Sequence, residues 1–79
     1  MTKALIQKNI RLSSEFDNYI SGNAKAFRSI PNGANIIITS SRDKALSDAN
    51  ISIARNSRSV KFIEAHKSDG GWKIRTFKK

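Results

Sequence analysis

The stretch Ala34–Ser40, with the sequence Ala-Asn-Ile-Ile-Ile-Thr-Ser, restricts the possible folds of this chain more than any other segment. Isoleucine and threonine branch at Cβ and favour extended backbone, so we predict a strand over Ala34–Thr39. The preceding Pro31-Asn32-Gly33 is a turn signal. Because isoleucine falls on both alternating sides of the strand, we expect the strand to be covered on both faces or to lie inside a sheet.

The length and the cysteine content limit how this strand can be buried. A chain of 79 residues is enough for one domain, residues 1–79, with one core of modest stability. The chain has no cysteine, which excludes disulfide bonds and thiolate metal sites. The fold must therefore be held together by packing within the chain or against a second copy.

Two helices are predicted before the strand. Thr2 is a suitable N-cap for a helix that ends near Ser21, and Gly22 is a C′ residue that can take a positive φ. The apolar residues of this helix recur at spacings of three, four and seven, as a buried face requires. They are Leu5, Leu12, Phe16 and Tyr19, widened by Ile6, Ile10 and Ile20. A short second helix over Ala24–Ser29, capped by Asn23, is stopped by Pro31.

A third helix is predicted directly after the strand. Ser40 or Ser41 is expected to cap its N-terminus, because Ser40–Asp43 nearly matches a capping box. The inward face of this helix carries Leu46, Ala49, Asn50 and Ile53. The helix should end near Asn56, which is a suitable C-terminal residue.

The C-terminal residues predict a β-hairpin with the strands Val60–Lys67 and Trp72–Lys78. Asp69-Gly70 between two alternating runs is a strong signal for a two-residue turn, and it places Ser68 opposite Gly71. This register sorts the side chains onto two faces. The face expected to be core carries Ile63, Ala65, Trp72 and Ile74. The other face carries Phe62 opposite Phe77, Glu64 opposite Arg75, and His66 opposite Lys73.

The predicted order of elements, α-α-β-α-β-β, indicates a small α/β (α+β) domain. The strand–helix–strand step should be a right-handed crossover that makes a parallel pair of strands. The hairpin then adds an antiparallel neighbour, which gives a mixed three-stranded sheet. The sequence leaves open whether the helices cover one face of this sheet, in two layers, or both faces, in three.

Several segments resemble a family of short uncharacterised prokaryotic proteins, a domain family of unknown function. The resemblance rests on Lys8–Tyr19, with the pattern KNxxLSxEFxxY, on Ile30–Ala34, with the pattern IPxxA, and on the isoleucine-rich strand. Ala49-Asn50 and the strand from Val60 extend it across most of the chain. The resemblance supports the order of elements and implies no activity. The basic hairpin Gly70–Lys79 departs from the shorter ending of the family.

The net charge is the most unusual feature of the composition. Fifteen Lys and Arg residues against six Asp and Glu residues give a formal charge of +9. Such an excess bears on the choice of partner rather than on the fold. Nucleic acid or another polyanion is the natural candidate. The alternative is a small basic protein that binds no nucleic acid.

The second face of the hairpin is the candidate nucleic-acid surface. Its aromatic rings would stack on bases while its cations neutralise phosphates. The candidate residues are Phe62, Phe77, Lys73, Arg75, His66 and Lys79. One alternative is that both phenylalanines are core beneath a helix, with the cations solvated at the rim. Another is that an apolar patch on this face serves a homodimer or a protein partner.

The sequence gives weaker support for an anion site, a catalytic histidine or a metal site. Ser40, Ser41 and Arg42 lie where the strand leads into a helix, so they could hold an anion, although capping alone explains both serines. His66 is the only histidine, with Glu64 as its one possible partner. The carboxylates show no metal-ligand spacing. We therefore expect a binding module that is not an enzyme and has no metal and no cofactor.

The sequence also bears on localisation. Lys3 and Lys8 flank an apolar run that is far too short for a secretory signal, and Ile36–Ile38 is too short to cross a bilayer. We therefore expect a cytoplasmic protein without a membrane partner.

Overall fold

A computed structural model describes residues 2–58 and 61–77. The elements are α1 (Lys3–Ser21), α2 (Ala24–Arg28), β1 (Asn35–Ser40), α3 (Lys44–Asn56), β2 (Phe62–Ser68) and β3 (Gly71–Phe77). The sheet order is β1-β2-β3, with β1 parallel to β2 and β2 antiparallel to β3. The predicted order of elements and the mixed three-stranded sheet are therefore confirmed. The predicted strand ends at Val60 and Lys78 lie outside the described residues.

Local hydrogen bonds define both ends of α1. The Thr2 hydroxyl accepts a hydrogen bond from the Leu5 amide at 3.2 Å, as predicted for an N-cap. At the other end the Gly22 amide donates back into the last turn at 3.3 Å. Gly22 has a φ of −96°, so the expected positive φ at this glycine is wrong. Positive φ values occur instead at Gly33 and Gly71, in the turns that lead into β1 and β3.

The N-terminus of α3 differs from the prediction. Asp43 is the N-cap, and its Oδ1 accepts a hydrogen bond from an amide of the first turn at 3.1 Å. Ser41 still belongs to the end of the sheet, since its amide donates to the carbonyl of Lys67 in β2 at 3.0 Å, and the helix begins only at Lys44. The prediction that Ser40 or Ser41 caps this helix is therefore wrong. The predicted end at Asn56 is confirmed.

The register of the hairpin agrees with the prediction. Ser68 lies opposite Gly71, and the pairing continues without a break to Phe62 opposite Phe77. Gly71, the residue directly after the turn, has a φ of 112°, which glycine adopts without a Cβ penalty. The hairpin therefore sorts its side chains onto the two faces expected from the sequence.

Helix α1 packs across one face of the sheet. Phe16 is fully buried in this core, and its ring centroid lies 5.0 Å from that of Trp72. Ile38 of β1, Ala65 of β2 and Leu46 of α3 complete the buried cluster. The face that carries Ala65 and Trp72 is thus core, as predicted.

A smaller core lies on the other face of the sheet. Ile37 of β1, Phe62 of β2 and Ala54 of α3 are buried together, and Phe77 packs at the border of this cluster. Ile37 and Ile38 are adjacent in sequence but are buried on opposite faces. Coverage of this strand on both faces is therefore confirmed.

Strand β1 is at the edge of the sheet, and α3 lies along its free side. Asn50 Nδ2 donates to the Ile38 carbonyl at 2.8 Å. The Ser47 hydroxyl accepts from the Ser40 amide at 2.9 Å and lies 3.0 Å from the Ser40 carbonyl. These are backbone groups that an additional strand would otherwise pair with. Asn50 also exchanges hydrogen bonds with Asn9 of α1, at 2.7 and 3.2 Å, so one side chain connects α1, β1 and α3.

The β3 side of the smaller-core face is open to solvent. Lys73 and Arg75 point to this face by the register of the hairpin, and both are exposed. Helix α3 packs on Ile37 and Phe62, which lie toward the other side of the same face. Among the described helices, none covers Lys73 and Arg75.

Candidate functional site

The open side of the hairpin brings together most of the residues predicted to bind a polyanion. His66 lies opposite Lys73, and Glu64 lies opposite Arg75. We use the term hairpin face for the surface formed by Glu64, His66, Lys73, Arg75 and Phe77. Lys79, which was predicted to belong to this surface, lies outside the described residues.

The two phenylalanines of the predicted surface differ in exposure. Phe62 is 8% exposed and packs against Ile37 and Ala54 in the smaller core. Phe77 is only partly buried, and the Phe62 ring meets it edge-on, with centroids 6.3 Å apart. Phe62 therefore offers little ring surface for stacking, and the aromatic part of the hairpin face consists of Phe77.

Glu64 and Arg75 form a two-pronged ion pair on the hairpin face. Arg75 Nε donates to Glu64 Oε1 at 3.0 Å, and a terminal guanidinium nitrogen donates to Oε2 at 3.1 Å. These hydrogen bonds hold the pKa of Glu64 below its ordinary value, against the opposing effect of burial. The same pair raises the pKa of Arg75. At neutral pH Glu64 is therefore a carboxylate, which accepts hydrogen bonds and donates none.

Thr39 is a member of this cluster that was not predicted. It is 2% exposed, and its Oγ1 lies 2.5 Å from Glu64 Oε2 and 2.7 Å from His66 Nδ1. Because the carboxylate only accepts, the Thr39 proton must go to Glu64, and His66 must donate its Nδ1 proton to the Thr39 oxygen. The direct distance from His66 Nδ1 to Glu64 Oε2 is 3.8 Å. The carboxylate–imidazole pair considered from the sequence is thus bridged by a threonine.

This hydrogen-bonded network holds the side chains around Thr39 in place. The Thr39 hydroxyl itself is shielded from solvent, because Thr39 is buried. The hydrogen-bonded network holds Arg75 and His66 beside the exposed Lys73. Lys73 takes part in none of the ion pairs of the described residues. The hairpin face therefore offers a cationic surface next to one partly exposed ring.

A second group of candidate residues lies at the carboxyl ends of β1 and β2. Ser40, Ser41 and Arg42 line a pocket of about 420 Å³, which we call the strand-end pocket. Besides Arg42, its cationic lining consists of Lys8 and Arg11 from α1 and Lys67 from β2. Lys8 and Arg11 were not predicted because the path of α1 across the sheet is not visible in the sequence. Lys67 was not predicted because the parallel register that places it beside Ser40 is not visible either.

The backbone amides of the strand-end pocket are already occupied. The Arg42 amide donates to Ser40 Oγ at 3.2 Å, and the Asp43 carboxylate caps α3. Lys8 Nζ lies 2.8 Å from Asp43 Oδ2, and this hydrogen bond holds the pKa of Asp43 below its ordinary value. An anion in this pocket would therefore be held by side chains and not by the helix N-terminus.

Two further kinds of feature, a metal-binding cluster and a membrane-spanning helix, are absent from the described ranges. Within residues 2–58 and 61–77, no cluster of three or more His, Asp and Glu side chains is placed to hold a metal ion. In the same part of the chain, no helix is both long enough and apolar enough to cross a bilayer.

Comparison with known protein families gives one match. The model of a family of unknown function, DUF5647, matches residues 4–62. The chain belongs to the DUF5647 family. No curated protein and no solved structure matches the chain. The expected membership in a family of unknown function is therefore confirmed.

The range matched by the DUF5647 model contains most of the strand-end pocket and none of the hairpin face. It includes nearly all of α1 and the whole of α2, β1 and α3, and it ends at Phe62, the first residue of β2. Most of the strand-end pocket, including Lys8, Arg11 and Arg42, lies inside the matched range. The hairpin face lies outside it.

Proposed function

We propose that the protein is a small non-enzymatic module that binds single-stranded nucleic acid through the hairpin face. One observation carries the proposal. Lys73 and Arg75 are exposed beside the partly exposed Phe77, on a side of the sheet that no described helix covers. The formal charge of +9 favours the approach of a polyanion to any such surface.

Phosphates and bases would contact different parts of this surface. Lys73 supplies an ammonium group, and Arg75 keeps guanidinium N–H groups beyond those that Glu64 accepts. Phe77 supplies the ring, and stacking of a base on an aromatic side chain contributes about 1–3 kcal/mol. Phe62 packs edge-on against Phe77 and so holds that ring in place.

Fluorescence anisotropy with labelled single-stranded RNA, single-stranded DNA and duplex, at two salt concentrations, tests the proposal. We expect strand-selective binding that survives moderate salt, because stacking does not depend on counterion release. Lys73→Gln should weaken binding more than Lys25→Gln, which removes the same charge from an exposed position on α2. Binding that ignores the form of the nucleic acid and disappears with salt would contradict the proposal, as would equal losses in the two variants.

A different observation favours an alternative, a protein-interaction or homodimer module. Ile36 of β1 and Ile53 of α3 line an open groove of about 610 Å³ and are exposed. Exposed apolar side chains that line one open groove are typical of interaction surfaces. Under this alternative the molecular mass in sedimentation equilibrium should rise with protein concentration, and Ile53→Lys should abolish the rise.

A further inference from the structure

The strand-end pocket lies where three segments of the chain converge. Helix α1 contributes Lys8 and Arg11, the turn after β1 contributes Ser41 and Arg42, and the end of β2 contributes Lys67. The pocket has a volume of about 420 Å³, within the size range of small-ligand sites. The crevice beyond the carboxyl ends of parallel strands is a common place for ligands in α/β sheets.

The lining of the pocket favours an oxyanion. Its charged groups are four cations, Lys8, Arg11, Arg42 and Lys67, and the two carboxylates of Asp43 and Asp69. Ser41 and Ser68 add hydroxyl groups that can donate hydrogen bonds. Leu12 is the one apolar side chain among the described lining residues. An anion in the pocket would therefore meet an excess of positive charge.

Two of the cations are held in place by carboxylate partners. Lys8 pairs with Asp43, which is itself tied to the first turn of α3. Lys67 pairs with Glu15, and its ammonium group lies 5.7 Å from the ring centroid of Trp72. These ammonium groups therefore have defined positions at the wall of the pocket before any ligand binds.

Arg11 and Arg42 can turn towards a ligand with little loss of stabilising free energy. Arg42 pairs with Asp69, but the two side chains are 79% and 76% exposed, and ion pairs so open to solvent contribute little to stability. Arg11 is exposed and takes part in none of the ion pairs of the described residues. A planar guanidinium group matches the geometry of two phosphate oxygens.

We propose that the strand-end pocket binds a phosphate group, with Arg11 and Arg42 as its principal ligands. Lys8 and Lys67 supply additional positive charge, and Ser41 supplies a hydroxyl donor. The site is separate from the proposed nucleic-acid surface, since no residue of the hairpin face lines this pocket. The phosphate group belongs either to inorganic phosphate or to a nucleoside monophosphate.

Isothermal titration at constant ionic strength tests this proposal with inorganic phosphate, adenosine 5′-monophosphate and adenosine. We expect saturable binding of one phosphate per chain and no binding of adenosine. Equal affinity for phosphate and the monophosphate identifies the free anion as the ligand, and higher affinity for the monophosphate identifies a nucleotide. The absence of saturable binding by both phosphate compounds would overturn the proposal.

Matched variants locate the site. The double variant Arg11→Gln/Arg42→Gln should lose about tenfold or more in phosphate affinity, the effect of losing a charge-assisted hydrogen bond. Lys25→Gln/Arg28→Gln removes the same charge from α2 and should bind phosphate like the original protein. Equal losses in the two double variants would refute a localised site. Lys73→Gln should not change phosphate binding. The proposed phosphate site and the proposed nucleic-acid surface are therefore tested independently of each other.

Discussion

The hydroxyl of Thr39 in β1 lies 2.7 Å from Nδ1 of His66 in β2, and the two residues are partners in the parallel register. The same hydroxyl donates to Glu64, which in turn accepts two hydrogen bonds from Arg75 of β3. A continuous chain of polar contacts thus crosses all three strands. In a small sheet with a limited core, this chain fixes the relative position of β1 and the hairpin.

Replacement of Thr39 by valine keeps the shape of the side chain and removes the bridge. We expect a loss of about 1–3 kcal/mol in the free energy of unfolding, because the partly buried Glu64 and His66 each lose a hydrogen bond to the buried Thr39. Urea denaturation measures this loss. Thr76→Val, at an exposed position of β3, should change stability by less than about 0.5 kcal/mol.

The tautomer of His66 is a second prediction from the same contact. Glu64 cannot donate, so the proton between Thr39 and His66 must come from Nδ1. Nitrogen chemical shifts of the imidazole at a pH where it is neutral should therefore show the proton on Nδ1. In Thr39→Val this preference should disappear, and a proton found on Nε2 in the original protein would refute the assignment.

The stability of the fold should depend on the charge of Glu64. Arg75 lowers its pKa in the folded protein below the ordinary value of 4.5. As the pH falls, the unfolded chain therefore binds the proton at a higher pH than the folded protein does. The contribution of ionised Glu64 to the free energy of unfolding is lost as the pH passes below 4.5 and through the lowered pKa of the folded protein. Asp43, whose pKa is lowered by Lys8, contributes in the same direction.

Denaturation curves recorded from neutral pH to acid pH measure this dependence. Glu64→Gln should make the free energy of unfolding depend less on pH in the acid range. Arg75→Gln should have a similar effect, because the two residues act through one ion pair. The double variant should add little to either single change. Additive effects of the two substitutions would show that the ion pair does not account for the dependence.

The two phenylalanines of the hairpin should respond differently to truncation. Phe62→Ala removes a buried ring and should cost about 3–5 kcal/mol of stability. Phe77→Ala should cost about 1–2 kcal/mol, because only part of its ring is buried, and should also weaken binding of single-stranded nucleic acid. Thermal unfolding together with anisotropy separates the two effects. A large stability loss in Phe77→Ala with no loss of affinity would assign Phe77 to the core alone.

Asn50 should contribute strongly to the stability of the fold, because its side chain bonds to two other segments of the chain. It is buried and bonds both to the Ile38 carbonyl and to Asn9. Asn50→Ala should therefore cost about 2–3 kcal/mol, since a carbonyl and an amide lose their partners together. Asn56→Ala, at an exposed position near the end of the same helix, is the control for helix propensity.

Several of the features predicted correctly from the sequence depend only on neighbours in the chain. The Asp69-Gly70 turn and the alternation on either side of it are enough to place Glu64 opposite Arg75. The Thr2 cap of α1 is similarly local. In each case the hydrogen bonds close over a few residues, so the sequence pattern contains the whole geometry.

The missed features depend on contacts between distant segments. Pairing with β2 extends as far as Ser41, whose amide donates to Lys67, so α3 begins later than the sequence indicated, at Lys44. Thr39 joins His66 only through the register of the parallel pair, which no turn specifies. The strand-end pocket needs α1 to cross the sheet so that Arg11 approaches Arg42. None of these relations leaves a periodic or local signal in the chain.

The middle strand of the sheet, β2, has consequences for the synthesis of the protein. It begins at Phe62, after all three helices and β1. A ribosome therefore makes β1, α3 and the connection to β2 before β1 has a strand to pair with, and the sheet cannot form until β2 has been synthesised. Until then the isoleucines of β1 rely on α1 and α3 for cover. A nascent chain stalled before Ser68 should accordingly be a good substrate for chaperones that recognise exposed apolar segments.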